Sequence, residues 1–482
     1  MAVPSEHLSE MDNGPASCPG GNGEGINNVN PYKLVDDAYS GQGGFRSGEY
    51  LIKHDRERDF KERQSYSYYL NYFKPISDSL INPVFKRPPE REYNSTLYGT
   101  FIEDVDRNKN DLTQFMVKVA KKALRHGATF IVMDTPSDQP ATEAKMLEDR
   151  SFPYIYVKTA PEVVLWEITR FGDLISITFV EATDKIEKGK KPGKQYRKWE
   201  KGKWTLYEKL TKEGELKKEI KTGDTKGVLS VIPVFMTEQN ELTYLPVPGL
   251  YDLAKINAAI YNISSEIREI QRKQGFSILA VPKNGNKSTS SEIGTTSAFN
   301  FPHDAKHTPH FITSDTAIQI ALQEERAKLV EEMYKQAKLA GVTGIIQQSG
   351  IAKQWDFEAT DTELRFHARV IEDAERNLIA LFGSWTGKPE IKYERVGYPE
   401  DFGILDTADK LTEAEGIAGL DMPESVVTES KVAVVNAVFK DLEQKNRDEL
   451  IKDVRDEGEA AEQAKQNDGK PGEGDDEGNA GE

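Results

Sequence analysis

The chain has 482 residues, of which 37% are hydrophobic, and a formal net charge of −17 at pH 7. This length allows about three domains, and the lack of any run near the roughly 20 apolar residues of a membrane helix predicts a soluble protein. The acidic balance argues against tight, nonspecific nucleic-acid binding over the whole surface, because neutralising phosphates requires clustered Lys and Arg.

Residues 1–43 are rich in Gly, Asn, Pro and Ser and show little periodicity, so we expect a flexible leader. The first residues contain neither a basic region nor an apolar core, which predicts no secretory signal. The single cysteine, Cys18, excludes an intramolecular disulfide and is typical of a reducing compartment. We interpret it as an incidental thiol.

The pattern over residues 55–85 predicts helix and includes a cluster of tyrosines between Tyr66 and Tyr72. Tyrosines can stack on nucleic-acid bases, but packing between helices or subunits is the favoured interpretation.

A helix predicted after Asp111 ends at Gly127 and is followed directly by an apolar strand, residues 128–134. Asp134 and Asp138 lie at the end of this strand, where α/β enzymes place catalytic carboxylates. Turn amides are their simpler partners, because Thr-Pro follows Asp134.

Several short apolar runs predict an antiparallel sheet, because mostly short turns separate them: 155–157, 163–168, 174–180, 204–207 and 228–235. The linker 185–203 mixes Lys and Arg with Tyr196 and Trp199. This mixture could bind nucleic acid, but residues 188–194 are more simply interpreted as a solvated hairpin tip.

Two long helical patterns flank a polar segment broken by Pro and Gly. The first, residues 246–275, places a stripe of apolar side chains at spacings of three and four: Leu250, Leu253, Ile256, Ile260, Ile263, Ile267 and Ile270. The second, residues 314–340, begins at good capping residues and ends before Gly341. A Gly/Ser-rich loop, 341–361, leads into a third predicted helix, 362–382.

Catalytic motifs are nearly absent. Residues 285–289 lack the Gly-x-x-x-x-Gly-Lys spacing of a phosphate-binding loop. His303, His307 and His310 lie close together, but neither a cysteine nor a regular two-histidine helical spacing supports a metal site. We therefore expect no enzyme activity, no metal and no cofactor.

The carboxyl-terminal part begins with a predicted strand at 390–393, and helices are predicted at 408–416 and 426–454. The chain beyond Arg455 is acidic and rich in Gly. Such a composition cannot bury enough apolar surface to fold, so it predicts a disordered tail.

The order of helix, polar excursion, helix, Gly/Ser-rich loop ending Ser349-Gly-Ile-Ala-Lys353 and helix resembles the core of tailed-bacteriophage portal proteins. Runs farther upstream are similar to the amino-terminal wing of such chains: 50–53, 60–63, 152–156 and 164–166. The resemblance covers roughly residues 44–440 and rests on order and spacing together.

The resemblance implies an α+β fold that is predominantly helical, with an antiparallel β sheet in its wing. The implied parts follow in chain order: flexible leader 1–43, wing 44–245, first stem helix 246–275, clip 276–313, second stem helix 314–340, tunnel loop 341–361, wing return 362–404, helical crown 405–455 and disordered acidic tail 456–482. The clip departs from the family pattern because residues 284–292 are short and polar, which leaves strand pairing across subunits open.

The implied function is a ring, a dodecamer in this family, at one capsid vertex of the virion and assembled in the host cytoplasm. Double-stranded DNA would pass through it during packaging and ejection, driven in packaging by a separate terminase motor. The ring would also nucleate head assembly with major capsid and scaffolding proteins and carry a head-tail adaptor.

The resemblance also indicates which residues of the tunnel loop and the clip would make contacts. In the tunnel loop, those that approach DNA would be Gln347, Gln348, Ser349 and Lys353. Amide and hydroxyl groups can contact phosphates transiently, and one lysine per subunit gives a weak attraction that the ring repeats. In the clip, the contact residues would be Asn284, Lys287, His303 and His307.

Two alternatives remain open. The chain could be a head-completion or minor capsid adaptor that binds a separate portal ring, and it would then be monomeric alone. It could also be a hydrolase that uses Asp134 and Asp138, which would require a pocket with convergent carboxylates and a metal. The sequence leaves open the host, the tail type, the ring number and the residues that dock the motor.

Overall fold

The structure is a computed structural model. It describes residues 29–55, 57–135, 145, 152–183, 193–238, 244–274, 278–283, 298–302, 310–312, 316–339, 350–399, 402, 414–417, 422–439 and 444–468. The contacts divide the chain into two compact units, residues 1–402 and 403–482.

Helices and strands of the described residues are numbered in chain order. The helices are α1 Pro31–Ser40, α2 Gly44–Ser47, α3 Phe60–Tyr66, α4 Phe73–Ser79, α5 Thr96–Phe101, α6 Leu112–His126, α7 Tyr251–Gln274, α8 Thr316–Gln336, α9 Gly350–Thr386, α10 Glu424–Val438 and α11 Gln444–Asp468. The strands are β1 Glu90–Tyr93, β2 Ala128–Asp134, β3 Tyr154–Thr159, β4 Val163–Ile168, β5 Leu174–Ala182, β6 Lys194–Glu200, β7 Lys203–Leu210, β8 Leu216–Asp224, β9 Val231–Phe235, β10 Ile278–Lys283, β11 Ala298–Pro302, β12 His310–Ile312 and β13 Tyr393–Gly397.

The strands of the first unit form mostly antiparallel sheets, so the predicted α+β class with antiparallel sheets is confirmed. Strand β2 lies between β3 and β9, β4 to β8 form a five-stranded meander, and β1 pairs with β13. Strand β10 pairs antiparallel with β12 and parallel with β11. The predicted single sheet over residues 155–235 is wrong in one respect, because its strands are shared between two sheets. Residues 185–203, interpreted from the sequence as a basic linker, contain strand β6.

The predicted helix and buried strand after Asp111 form as α6 and β2. The Asp111 side chain accepts a hydrogen bond from the Gln114 amide at 2.7 Å, and the Gln114 side-chain oxygen accepts one from the Asp111 amide at 3.3 Å. Gly127 ends the helix with φ of +74°, which glycine adopts without strain. Every residue of β2 is buried, so this strand lies at the centre of the unit.

The region predicted as helical over residues 55–85 contains two short helices, α3 and α4. Residues 67–72 between them are not helical and form hydrogen bonds with Ser265 and Asn257 of α7. The Tyr69 ring stacks on Phe45 at 4.0 Å and meets Tyr261 edge-on at 6.1 Å. Packing is therefore confirmed as the role of this tyrosine.

The third long helix, α9, begins at Gly350, well before the predicted start at residue 362. The stretch 351–361 contains neither Gly nor Pro, so no residue stops the helix from extending toward its amino end. The first helix, α7, begins at Tyr251 because residues 246–249 contain two prolines and a glycine.

The second unit contains α10 and α11 packed against each other, and Val432 and Thr428 are buried among its described residues. The predicted helix 426–454 is interrupted after Val438, and α11 then continues to Asp468. Residues 456–468 were predicted to be disordered, but Glu, Ala, Gln and Lys dominate them and these residues favour helix even when exposed.

Candidate functional site

Most of the residues predicted to contact DNA lie outside the described part of the chain: Gln347, Gln348, Ser349, Asn284, Lys287, His303 and His307. Lys353 lies in the first turn of α9. The elements that flank both segments are described, and they define where the segments leave the body of the first unit.

Helices α7 and α8 pack side by side, and the sheet of β10, β11 and β12 lies between them in sequence. Only the last turns of α8 enter the core, through the buried Met333 and the partly buried Leu329, Val330 and Tyr334, and Ala337 follows directly after the helix. Its first turns expose apolar side chains, with Ile318 61% and Ile320 51% exposed. The helix pair is therefore anchored at one end and carries the small sheet at the other.

Side chains of α7 hold the backbone of the amino-terminal segment. Asn257 accepts hydrogen bonds from the Phe73 amide at 3.0 Å and the Tyr69 hydroxyl at 2.8 Å, and donates one to the Leu70 carbonyl. Asn262 accepts from the Ile52 amide at 2.8 Å. The sequence pattern identified only the apolar stripe of this helix, because the partners lie about 200 residues away in the chain.

Arg63 on α3 anchors the carboxyl-terminal half of α7. Its side chain is fully buried and donates to Glu57 at 2.7 and 2.8 Å, to the Ile52 carbonyl at 2.6 Å and to Ser265 at 3.1 Å. The hydrogen bonds from Arg63 lower the pKa of Glu57. A buried guanidinium is tolerated here because each of its nitrogens has a partner.

The end of α8 is fixed to α9. Lys338, in the left-handed region with φ of +56°, forms an ion pair with Glu363 at 2.7 Å, and the Thr360 hydroxyl donates to the Lys338 carbonyl. Because a helix rises 1.5 Å per residue, the ten residues of α9 before Thr360 extend roughly 15 Å beyond this contact. Lys353 lies within that extension.

His367 lies one turn farther along α9 and is 1% exposed. Its Nδ1 is 3.0 Å from the Leu80 carbonyl oxygen, and its Nε2 is 3.7 Å from Glu363. Burial lowers the pKa of this histidine. The contact to Leu80 holds α9 against the chain that follows α4.

Asp134 borders a cavity of about 350 Å³ between β2, β3, β5, β6 and the start of α6. Its carboxylate accepts hydrogen bonds from the Thr135 amide at 2.8 Å and from Arg197 at 3.0 Å. Burial raises the pKa of Asp134, and Arg197 opposes that rise. Asp138 lies outside the described residues. In the cavity, Arg197 pairs with Asp134, and the carboxylates of Asp106 and Glu181 also line the wall.

The described residues contain no group of three His, Cys, Asp or Glu side chains arranged to hold a metal ion. Within the same part of the chain, no helix is both long and apolar enough to cross a bilayer.

No protein-family model matches the sequence, and no curated protein matches it either. The solved structures that match include chains of gene transfer agent (GTA) particles. A chain in the neck of an empty GTA particle, computed with C6 symmetry, has a TM-score of 0.40 at 8% identity, covering 73% of this chain and 88% of that one. A chain in the virion of a native gene transfer agent particle has a TM-score of 0.38 at 10% identity, covering 82% and 98%.

A third similar chain lies in the neck of a native GTA particle computed with C12 symmetry. Its TM-score is 0.37 at 8% identity, and the match covers 75% of this chain and 88% of that chain. Likenesses of this size define neither a family nor an activity for this chain.

Proposed function

We propose that the chain is a portal protein, the subunit of a ring that conducts double-stranded DNA through one vertex of a phage-like capsid. The observation that carries this proposal is the unit of α7, the sheet of β10 to β12 and α8, followed by residues 340–349 and the long helix α9. This order matches the stem, clip, stem and tunnel loop implied by the sequence resemblance.

In this proposal, α7 and α8 form the stem and β10 to β12 belong to the clip. The sheets between α6 and α7 belong to the wing, and α10 and α11 belong to the crown. The partners are further copies of the chain in a dodecamer, the terminase motor, the major capsid and scaffolding proteins and a head-tail adaptor. The ring is assembled in the host cytoplasm and remains in the virion.

The position of Lys353 supports a role beyond helix stability. The amino end of a helix has a partial positive charge, so a lysine in the first turn costs roughly 0.3–1 kcal/mol compared with an anionic residue. Lys353 lies in this turn of α9. A lysine at this position can attract the phosphates of DNA, and many subunits would repeat this weak attraction around a channel.

The test is the mass and symmetry of the purified chain, by light scattering and averaged electron-microscope images. We expect closed rings with a central hole, and twelve copies of the 54.1 kDa chain would weigh about 650 kDa. A chain that stays monomeric until it meets a preformed ring would instead identify the head-completion adaptor.

A further inference from the structure

The imidazole ring of His367 is buried in α9, and only one of its two nitrogens has a hydrogen-bond partner among the described residues. Nδ1 lies 3.0 Å from the Leu80 carbonyl oxygen. Because a carbonyl oxygen only accepts, Nδ1 carries the proton, and Nε2 of the neutral ring is then a bare lone pair. Few buried polar atoms lack a partner in folded proteins, so the unpaired Nε2 indicates a second state of the ring in which it is paired.

A carboxylate stands in front of this unpaired nitrogen. Glu363 lies four residues before His367 on α9, and its Oε1 is 3.7 Å from Nε2. This distance is too long for a hydrogen bond, and the lone pair has no proton to donate. Side chains four residues apart are neighbours on a helix, so a rotation of the Glu363 side chain is enough to bring the two atoms into contact.

The same carboxylate joins α9 to the end of α8. The second oxygen of Glu363 lies 2.7 Å from Nζ of Lys338, which follows the last turn of α8. The Lys338 side chain is 50% exposed and that of Glu363 is 33% exposed. Ion pairs at such exposure contribute little, because the lysine can return to water at small cost. Glu363 is therefore held weakly on the side of Lys338.

The charges that act on the ring come from two elements of the described chain: Glu363 from α9 and Lys338 from the end of α8. The segment after α4 contributes the Leu80 carbonyl, and residues 82–85, which also pack on α9, contain no charged side chain. Burial lowers the pKa of His367 below its usual 6.5, although the Leu80 hydrogen bond and Glu363 oppose this. The ring is therefore neutral at neutral pH and gains its proton in acid.

We propose that Glu363 exchanges partners in acid, leaving Lys338 and pairing with His367. Protonation turns Nε2 into a donor, and a buried imidazolium requires an anion beside it. The Glu363 carboxylate is the one within reach. The end of α8 then keeps the hydrogen bond from the Thr360 hydroxyl to the Lys338 carbonyl but loses its ion pair to α9. This acid-sensitive link between two helices is independent of the proposed function, because it requires neither a ring nor DNA.

The test compares the wild type with Lys338→Gln by hydrogen exchange and mass spectrometry of peptides that cover the last turns of α8. Both chains are measured at the same pH, which cancels the pH dependence of the chemical exchange rate. At about pH 7.5 the last turns of K338Q should exchange about twofold or more faster than those of the wild type, because the ion pair is missing. At about pH 5 the two chains should exchange equally, because the wild type has also lost the pair.

Lys335→Gln is the matched control. Lys335 pairs with Glu331 at 2.8 Å on α8, and the two side chains are 48% and 37% exposed, close to the values of the Lys338 pair. No histidine takes part in this pair. The effect of K335Q should be the same at both pH values, which accounts for any protonation of carboxylates near about pH 5.

His367→Asn separates the histidine from other groups that titrate. An asparagine amide can donate to the Leu80 carbonyl and gains no charge in acid. In this background, K338Q should therefore exchange faster than its parent at both pH values. A difference that disappears at about pH 5 even in H367N would assign the effect to another group and overturn the proposal.

Two further results would also overturn it, and both come from chains that retain His367. One is a difference between the wild type and K338Q that persists unchanged at about pH 5. The other is equal exchange of these chains at both pH values, which would show that the ion pair does not hold the end of α8. This comparison decides the question by itself if circular dichroism shows that H367N does not fold.

Discussion

Glu375 is fully buried, and both oxygens of its carboxylate accept hydrogen bonds. Arg91 donates to it at 2.5 and 3.0 Å, Tyr398 at 2.6 Å and Tyr393 at 2.7 Å. Tyr98 shares a further hydrogen bond of 2.7 Å with Tyr393. This network joins α9 to β1 and β13. Burial raises the pKa of Tyr393 and of Tyr398, so both hydroxyls remain donors.

Glu375→Ala should lower the free energy of unfolding of the first unit by about 3–5 kcal/mol, because it leaves the Arg91 guanidinium buried without its partner. Urea unfolding measures this loss. Glu372→Ala is the matched control, since Glu372 pairs only with the half-exposed Arg376 on the same helix. The control should cost less than about 1 kcal/mol, and equal losses would contradict the role of the network.

Asp134 makes stability depend on pH in a defined direction. Burial raises its pKa in the folded chain, so the folded state binds this proton more tightly than the unfolded state does. The stability that the group contributes is therefore full below its unfolded pKa of about 3.9 and decreases as pH rises through the folded pKa.

Asp134→Asn removes that titration. We expect the free energy of unfolding of the wild type, minus that of D134N, to increase as pH falls from neutral toward about 4. Urea unfolding at several pH values tests this difference. A difference that stays constant or decreases on acidification would show that Arg197 dominates the environment of Asp134.

At the scale of elements, α7 acts as the support on which the amino-terminal segment is assembled. Asn257→Ala should leave the buried Phe73 amide without its partner and remove one of the two hydrogen bonds to the Leu70 carbonyl, which keeps the one from the Tyr72 amide. We expect faster hydrogen exchange in residues 67–73, equivalent to a loss of about 1–3 kcal/mol of local protection. Mass spectrometry of peptides from this segment measures it, and unchanged exchange rates there would refute the assignment.

Elements with local signals were predictable from the sequence. The capping residue Asp111, the terminating Gly127 and the apolar run of β2 all act within a few residues, and the structure follows them. Strand β6 was missed because it is mostly charged, and it is a strand only through its pairing with β5 and β7. Whether such a segment forms a strand depends on its tertiary partners, and the periodicity of its sequence does not reveal them.

The Asp134 cavity was missed for the same reason. Arg197 and Glu181 reach it from strands that are distant from Asp134 in sequence, and no spacing rule connects them. The sequence indicates only the Asp134 carboxylate itself, at the end of a buried strand. Its partner Arg197, which opposes the rise of the Asp134 pKa, is identified only from the folded structure.

At the scale of the whole molecule, the proposed channel predicts a separation of functions. Lys353→Glu should lower the nuclease-protected DNA per assembled particle by about twofold or more, because repeated carboxylates repel phosphates. The ring mass should be unchanged, since Lys353 lies in the first turn of α9, before the contact of Thr360 with Lys338 that fixes this helix to the end of α8. Lys61→Glu, at an exposed position on α3, is the control, and equal effects of both changes would remove Lys353 from the channel.

The hydrogen bonds between α7 and the amino-terminal segment also determine the order of events during synthesis. Helix α1 and the segments up to residue 85 leave the ribosome about 190 residues before the end of α7, which corresponds to roughly 10–40 s of translation. Until then Asn257 and Asn262 do not exist as partners, so the amides of Ile52 and Phe73 lack the hydrogen bonds that they have in the folded chain. The nascent chain therefore passes through an interval in which these backbone groups of its amino-terminal segment are paired with water instead of with α7.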